Sequence, residues 1–461
     1  MMPTEQDDPQ SLPGKTQSSQ SSSTRNNRRV GRESLITHLS QDTNKGDLAI
    51  LEGTVRLVKD IAPGTDFHFH SVEAFETEFA LRHSRALSPK SMTSALLPPR
   101  SAGLRRYATR LLVSVASLIN PRLIGLVAPE FLEALDSASR VICKGGSYLF
   151  SRGTMRDNIF LCRMLFPMIL VSRSRVPFVV LGISVGPIRN ALFRALTRRV
   201  LSGAEFVGAR EELSEDYLRN VLHLPPEKLI RIPDLAFYGG DISGTVVIDG
   251  PAFGVTPLAW KDVINKDPQR VHRNYVRTII RCSMDHIEKG RRCVLIAHSL
   301  DDLPIVAFIE DALVEAGHRE QLVTVRGDLT TSELRGVYKQ LDFLIATRLH
   351  SVILAATVGT PSVAIAYEVH KAFGIMRDLG MEQFTCELNS CDTQLEGLVN
   401  DLERSHTSVS GLVGARAALL RRELIHFGQE RLAPFLTRPG GIRSREAPTD
   451  GYHGDFFVGP E

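Results

Sequence analysis

An arginine and a histidine two positions apart, Arg348 and His350, are the residues of this sequence best suited to chemistry. They follow the run Asp342–Ala346 (DFLIA), which predicts a strand. Arginine offers a fixed fork of donors to a carboxylate or a phosphate, and histidine can donate or accept a proton near neutral pH. If the backbone is still extended from Arg348 to His350, both side chains face the same side. The alternative is that Arg348 pairs with a surface carboxylate and His350 packs within a helix.

The segment Gly182–Gly186 (GISVG) offers Ser184 as a second candidate. Its G-x-S-x-G spacing after a strand fits the nucleophile turn of serine hydrolases. The alternative is a glycine-rich turn between a strand and a helix, in which Ser184 and Gly186 let backbone approach a ligand. Pro187 follows the motif directly, where a hydrolase normally starts a tightly packed helix. This favours a substrate-binding turn over a nucleophile.

Other polar residues follow the ends of further predicted strands. The turn Lys144-Gly145-Gly146 can bring backbone amides to an anion, although such turns are common in α/β proteins. Arg210 and His298 each come where a predicted strand ends. Taken alone, Arg210 would more commonly be a structural ion-pair residue.

We predict no metal site. His68 and His70 place two imidazoles on one side of a strand, but no third or fourth ligand is evident, so an exposed strand face is favoured. The six cysteines form no C-x-x-C pair, and most lie in apolar runs. This favours a reducing, cytoplasmic compartment and argues against a thiolate zinc site.

The composition argues against several classes of protein. A net charge of +3 is too small to indicate a nucleic-acid partner. The apolar runs Leu111–Ile119 and Ile159–Val171 are too short to span a bilayer, and the N-terminus does not resemble a secretory signal. We therefore expect a soluble cytoplasmic protein.

The chain alternates short β-branched runs with longer amphipathic ones, which predicts an α/β fold with parallel sheets covered on both faces. The predicted strands include Arg140–Cys143, Pro177–Gly182, Glu205–Gly208, Ala252–Thr256, Cys293–Ala297, Leu322–Val325 and Ser362–Ala366. A chain of 461 residues exceeds what one core usually serves, so two domains are expected. Ligands bind beyond the carboxyl ends of parallel strands, which predicts a site in the cleft between the domains.

Composition changes along the chain predict its division into domains, with a glycine-rich linker at Tyr238–Gly250. The predicted parts are a disordered segment at 1–33, a first domain at 34–240 with a basic insertion at 81–110, a second domain at 251–410, a helix at 411–436 that crosses back onto the first domain, and a disordered tail at 437–461.

Several blocks resemble the polysaccharide pyruvyl transferase family. The strongest runs from Asp342 to Gly380 and has the family's strand, Arg-Leu-His, apolar helix, Gly-x-Pro, strand, Tyr and Lys. Weaker matches, in the family's order, are NKGD at 44–47, ICKGGSYLF at 142–150, LGISVGP at 181–187, GAREELSEDYL at 208–218, IPDLAF at 232–237 and LIAHSLDD at 295–302. Lys144 stands where the family usually has glycine, and Leu81–Arg110 has no counterpart.

The resemblance implies a fold and an activity. The fold is two Rossmann-like domains facing each other across a cleft, similar to GT-B glycosyltransferases, with the first domain on the acceptor side and the second on the donor side. The activity is transfer of pyruvate from phosphoenolpyruvate, as co-substrate, to two hydroxyls of a sugar as a ketal, in polysaccharide or exopolysaccharide biosynthesis. The residues that correspond to the family's functional residues are Arg210, Arg348 and His350, and Asp47 belongs to its N-terminal motif.

Phosphoenolpyruvate carries a carboxylate and a phosphate, so its pocket requires cations and backbone donors. Arg210, Arg348 and Lys371 can supply the cations, and Gly145 and Gly146 the amides. His350 is the expected general acid and His298 a weaker candidate for acid or base. The reaction requires no metal or redox cofactor. Three rival functions are a sugar-nucleotide glycosyltransferase of the same fold, a serine hydrolase that uses Ser184, and a scaffold without activity.

The stretch Leu81–Arg110 carries seven arginines and lysines and no acidic residue, and Leu111–Ile119 follows it. A cationic segment beside an apolar one can rest on an anionic membrane surface, which would bring a lipid-linked acceptor to the cleft at the inner face of the membrane. The alternative is a mobile, solvated insertion that leads into a core helix.

Overall fold

The computed structural model describes residues 33–73, 81–96, 104–244, 246–259 and 267–438. The two segments predicted to be disordered lie outside the described residues, apart from Glu33, Thr437 and Arg438. Within the described part, two parallel sheets carry the fold, and both are built from apolar strands covered by helices on either side.

The first sheet contains eight strands within the described residues. They are β1 (Glu33–Leu39), β2 (Asp66–Ser71), β3 (Ser91–Thr93), β4 (Arg140–Cys143), β5 (Gly146–Ser151), β6 (Phe178–Ile188), β7 (Val207–Ala209) and β8 (Leu229–Arg231). They pair in parallel in the order β3-β2-β1-β4-β6-β7-β8, and β5 also pairs with β6. The order reverses between β1 and β4.

The second sheet contains six strands within the described residues. They are β9 (Ala252–Thr256), β10 (Arg292–Ile296), β11 (Leu322–Val325), β12 (Phe343–Ala346), β13 (Ser362–Ala366) and β14 (Thr385–Glu387). Their parallel order is β11-β10-β9-β12-β13-β14. In both sheets the first strand lies between the second and the fourth, which is the Rossmann order.

The helices cover both faces of each sheet. They are α1 (Lys45–Ile61), α2 (Arg82–Arg85), α3 (Leu104–Ser117), α4 (Pro129–Ser137), α5 (Met155–Ser174), α6 (Ala191–Ser202), α7 (Glu212–Asp216), α8 (Pro268–Glu288), α9 (Leu303–Glu315), α10 (Thr331–Tyr338), α11 (Leu349–Ala356), α12 (Val369–Asp378), α13 (Cys391–Arg404), α14 (His406–Phe427) and α15 (Ala433–Thr437). No helix of the described residues is long and apolar enough to cross a membrane.

The last helices join the two sheets. Phe427 and Phe435 pack edge-on against Phe206 of the first domain. Their ring centroids lie 5.7 Å and 6.2 Å, respectively, from the centroid of the Phe206 ring. Arg140, at the start of β4, donates from Nε to the Phe435 carbonyl at 2.7 Å. The predicted linker Tyr238–Gly250 contains no strand among its described residues, and β9 begins just beyond it.

Two local expectations were wrong. Strand β6 does not end at Gly182 but continues to Ile188, because Ile183 pairs with Gly146 of β5 and with Ala209 of β7. The side chains of His68 and His70 are buried rather than on an exposed strand face. The His68 imidazole lies 2.6 Å from the Ser91 hydroxyl of β3 and 3.2 Å from the Glu33 carboxylate of β1, so side chains from both neighbouring strands contact it.

The basic stretch 81–110 is not only a solvated insertion. Within its described part, Ser91–Thr93 forms the edge strand β3 and pairs with β2. Arg82 and Lys90 form ion pairs with Asp328 and Glu33. Both contacts attach this stretch to the fold.

Candidate active site between the two sheets

The carboxyl ends of the two sheets contact each other across the cleft. The loop after β1 carries Asn44, which forms an antiparallel bridge with Ser299 beyond β10. The Lys45 amide donates to the His298 carbonyl at 3.4 Å. The loop after β1 lies where the strand order of the first sheet reverses, which is where open α/β sheets bind ligands.

Arg348 lies at the end of β12 and is the N-cap of α11, with φ −87° and ψ 117°. The helix begins at Leu349, so the backbone is not extended from Arg348 to His350. Arg348 donates from Nε and Nη2 to Asp302 at 2.8 and 2.6 Å. Burial alone lowers the pKa of Arg348, but Asp302 outweighs it and the pKa lies above its usual value. Arg348 is therefore a fixed, charged fork.

His350 lies in the first turn of α11 and reaches across the cleft to the first domain. Its Nε2 is 3.6 Å from Oδ2 of Asp234. A Cβ placed on Gly46 would lie 2.3 Å from Nδ1 of His350. The imidazole therefore occupies space that only a glycine at position 46 leaves open.

Arg210 lies beneath the cleft rather than in it, since it is only 2% exposed. It donates to Asp234 Oδ2 at 2.8 Å, to the Ser184 hydroxyl at 2.6 Å and to Glu211 Oε2 at 3.4 Å. Burial alone lowers the pKa of Arg210, but Asp234 and Glu211 raise it above its usual value. It is a permanent charge shared between two carboxylates.

Ser184 belongs to the same buried cluster. Its hydroxyl donates to Glu211 Oε2 at 2.9 Å and accepts from Arg210. Among the described residues no histidine hydrogen bonds to it. The strand also continues past it, so the sharp turn that exposes a hydrolase nucleophile is not formed.

Asp47 and Lys144 form a further pair, with Lys144 Nζ 3.3 Å from Asp47 Oδ1. Burial raises the pKa of Asp47, but Lys144 and His350 together lower it below its usual value. Asp47 is therefore ionised at neutral pH. The buried Lys144 has its ion-pair partner here.

The glycines of the predicted anion turns have packing roles in the structure. A Cβ on Gly145 would lie 2.4 Å from the Leu181 carbonyl oxygen, and one on Gly186 would lie 2.8 Å from the Tyr217 ring. Gly146 adopts φ +151° at the start of β5. Their role in substrate binding stays a prediction.

Lys371 and His298 complete the predicted set. Lys371 donates to Glu368 Oε2 at 2.7 Å and, across the cleft, to the Ser147 hydroxyl. His298 is buried, with Nδ1 3.1 Å from the Tyr338 hydroxyl. Burial, with Arg348 among the nearby cations, holds its pKa well below the usual value. His298 is therefore neutral at physiological pH and suits a base better than an acid.

The structure thus brings most of the predicted residues to one cleft and pairs each cation with a carboxylate. The pairs are Arg348 with Asp302, Arg210 with Asp234, Lys144 with Asp47 and Lys371 with Glu368. These carboxylates hold the cations in place without a substrate. The catalytic and binding roles of the predicted residues stay predictions.

Sequence reasoning assigned no role to three residues that shape this site, namely Gly46, Asp234 and Asp302. Each lies inside a block that resembles the family, so the resemblance was the signal that pointed to these residues. Their partners are distant in sequence, and only the folded chain shows the contacts.

Comparison with known proteins agrees with this geometry. The sequence profile of the family described as polysaccharide pyruvyl transferase matches residues 44–369. The chain is 24% identical to the amylovoran biosynthesis protein AmsJ of Erwinia amylovora, over 75% of this chain and 86% of that protein.

Solved structures similar to this chain show the fold alone. A putative UDP-N-acetylglucosamine 2-epimerase from Listeria monocytogenes matches with a TM-score of 0.53 and 9% identity, over 87% of this chain and 98% of that one. A glycosyltransferase from Rickettsia africae matches with a TM-score of 0.50 and 11% identity, over 88% of this chain and 99% of that one. The two-domain, GT-B-like architecture is confirmed. Because the family profile spans most of the chain, this enzyme belongs to the polysaccharide pyruvyl transferase family.

Proposed function

We propose that the enzyme transfers pyruvate from phosphoenolpyruvate to two hydroxyls of one sugar, as a ketal. The observation that carries this proposal is the juxtaposition of Arg348 and His350 at the cleft in a member of this family. The similarity to AmsJ supports a glycan of the exopolysaccharide class as acceptor.

Arg348 is the proposed anchor of the donor. Its Nε and Nη2 are bound to Asp302, while Nη1 makes no hydrogen bond to the described residues. Nη1 can therefore meet a donor oxygen without breaking the existing pair. Lys371 lies where its ammonium can turn from Ser147 to a second donor anion.

The proposed reaction starts with a proton from the His350 imidazolium to the methylene carbon of phosphoenolpyruvate. The N–H bond breaks, a C–H bond forms from the double-bond electrons, and the central carbon becomes electron-poor. One sugar hydroxyl adds there and passes its proton to the now neutral imidazole of His350. The bond from the central carbon to the phosphate oxygen then breaks, and phosphate leaves with that electron pair. The second hydroxyl adds and passes its proton to the departing phosphate, which gives the cyclic ketal and inorganic phosphate.

Donor choice tests this proposal against the rival glycosyltransferase function. Calorimetric titration with phosphoenolpyruvate and with a panel of nucleotide sugars should show binding of phosphoenolpyruvate alone. Arg281→Ala, which removes an exposed arginine paired with Glu396, is the control and should bind like the wild type. Binding of a nucleotide sugar without binding of phosphoenolpyruvate would favour the glycosyltransferase.

Ser184→Ala should keep substantial activity, at most about tenfold below the wild type. The change removes one buried hydrogen bond of Arg210, which lowers the free energy of unfolding by about 1–3 kcal/mol. It removes no nucleophile. Turnover and labelling by a fluorophosphonate probe are the measurements. Complete loss of activity, together with labelling of Ser184 in the wild type, would instead support a serine hydrolase.

We propose further that the first domain rests on an anionic membrane through α3. This helix buries Ser114 and Ser117 and exposes Leu112 (71%) and Val115 (54%), with Ile119 (83%) just beyond it. An apolar face directed outward is unusual for a helix on a globular domain. No Asp or Glu occurs between positions 79 and 129, so an anionic surface meets no repulsion from this stretch.

The exposed Arg110 and Arg122 supply cations beside this face, each worth about 1 kcal/mol near an anionic surface. Sedimentation with anionic vesicles should show binding that weakens with added salt and falls in the variant Arg110→Ser/Leu112→Ser. Leu192→Ser removes an equally exposed leucine (73%) from α6 and is the matched control. Equal binding to neutral and anionic vesicles would contradict this membrane contact.

A further inference from the structure

A buried carboxylate, Asp234, connects His350, the proposed general acid, with the buried Arg210. Its side chain is 0% exposed and lies just before the 3-10 turn Leu235–Tyr238. Oδ1 accepts the Ala236 amide at 2.8 Å, which fixes the plane of the carboxylate. A backbone amide of the first domain therefore orients the carboxylate independently of the second domain.

The second oxygen of Asp234 faces both Arg210 and His350. Oδ2 accepts from Arg210 Nη1 at 2.8 Å and lies 3.6 Å from Nε2 of His350. Among the ion pairs of the described residues, Asp234 is the carboxylate shared by these two side chains. Burial alone raises the pKa of Asp234, but Arg210 and then His350 lower it well below its usual value. It is an anion at every physiological pH.

The Nδ1 edge of the His350 ring lies against Gly46, where the lack of a side chain leaves room for the ring. Gly46 packs so closely that a Cβ there would lie 2.3 Å from Nδ1 and 2.6 Å from Cγ. Nε2 is buried, yet it has no hydrogen-bond partner within the normal distance. The side chain as a whole keeps 19% of its surface exposed. The exposed part of the ring therefore lies away from Nε2.

We propose that Asp234 is a positioning residue that holds the Nε2–H of His350, so that Nδ1 is the nitrogen that delivers the proton to the donor. This inference rests on the proposed function, in which His350 is the general acid. In the step, the Nδ1–H bond breaks and the new C–H bond forms, while the Nε2–H stays on the ring beside Asp234. Because Asp234 also accepts a hydrogen bond from Arg210, it fixes the position of Arg210 relative to the imidazole.

Other ionisable groups surround the ring and bear on its protonation. They are Asp47 and Lys144 from the first domain and Arg348 and His298 from the second. Asp47 is the carboxylate among them, and it forms no ion pair with His350 in the described structure, whereas Asp234 does. Asp234 is therefore the group expected to select the tautomer.

The tautomer can be read in the unmodified protein by long-range ¹H–¹⁵N correlation spectra. His350 is assigned by comparison with His350→Gln, at a pH where its ring is neutral. The proposal requires the proton on Nε2 and the unprotonated nitrogen to be Nδ1. A neutral ring that carries its proton on Nδ1 overturns it. This measurement needs no variant at position 234 to fold.

Kinetics gives the second test. Asp234→Asn should lower kcat roughly 10–10³-fold, because one amide oxygen cannot serve the Ala236 amide and also face two donors. Asp234→Asn/His350→Ala should then be no slower than His350→Ala alone, since the two residues act as a unit. Asp60→Asn is the matched control, because Asp60 accepts from Tyr238 at 2.7 Å and does not contact His350.

The outcomes separate this inference from the proposed function. A wild-type enzyme that does not consume phosphoenolpyruvate contradicts the function itself. A wild type that consumes it, with Asp234→Asn at the wild-type kcat or with additive losses in the double variant, overturns the role of Asp234 alone. Thermal melting of each variant shows whether a loss of activity follows from loss of fold.

Discussion

His350→Ala should lower turnover by about 10²–10⁴-fold while the fold is kept, as expected for loss of a general acid. The side chain is partly exposed and enters the space above Gly46, so its removal leaves a polar gap that water can fill. Steady-state turnover of phosphoenolpyruvate, with thermal melting as the measure of fold, is the test.

His318→Ala is the control for this change. His318 precedes the 3-10 turn Arg319–Gln321 and has no contact with the cleft residues in the described structure. It should turn over like the wild type. Normal turnover by a folded His350→Ala variant would show that another group supplies the proton.

Arg348→Ala should lower kcat/KM for phosphoenolpyruvate by about 10–10²-fold, mainly through a higher KM, because charge-assisted hydrogen bonds contribute about 1.5–3 kcal/mol. Asp302, its buried partner, still accepts the Ala259 amide at 3.0 Å and the Ser299 amide at 3.1 Å. The carboxylate therefore keeps backbone donors, and the variant is expected to fold.

Arg348→Lys should recover only part of this loss. An ammonium can pair with Asp302 but lacks the planar fork that leaves Nη1 for the donor. Kinetics at varied phosphoenolpyruvate, with Arg281→Ala as control, measures the difference. Full recovery by lysine would mean that charge alone, rather than fork geometry, recruits the donor.

The sequence predicted those elements whose signal is local. Strands β4, β9, β11 and β13 have the predicted bounds, because each is a short, mostly apolar run between turns. Strand β1 was not among the predicted strands; it carries the polar residues Thr37 and His38, which are nevertheless buried at 0% and 2%. The continuation of β6 past Gly182 depends on pairing with β5 and β7, which no local pattern encodes.

The same distinction holds for the site. Arg348 and His350 were found because their types, spacing and place after a strand are local features. Asp234 could not be connected with His350 from the sequence, because that contact forms only when the second domain closes on the first. The burial of Arg210 beneath the cleft likewise depends on packing with residues from other strands.

The most direct test of the proposed activity is to incubate the enzyme with isotope-labelled phosphoenolpyruvate and a panel of glycosides and oligosaccharides. Released phosphate and label carried into the glycan are measured in the same reaction. We predict equal amounts of both, only with an acceptor that has two suitably placed hydroxyls, and a labelled product that loses pyruvate in mild acid as a ketal does. Phosphate release without transfer of label, or transfer of a sugar from a nucleotide donor in its place, would contradict the proposed pyruvyl transfer.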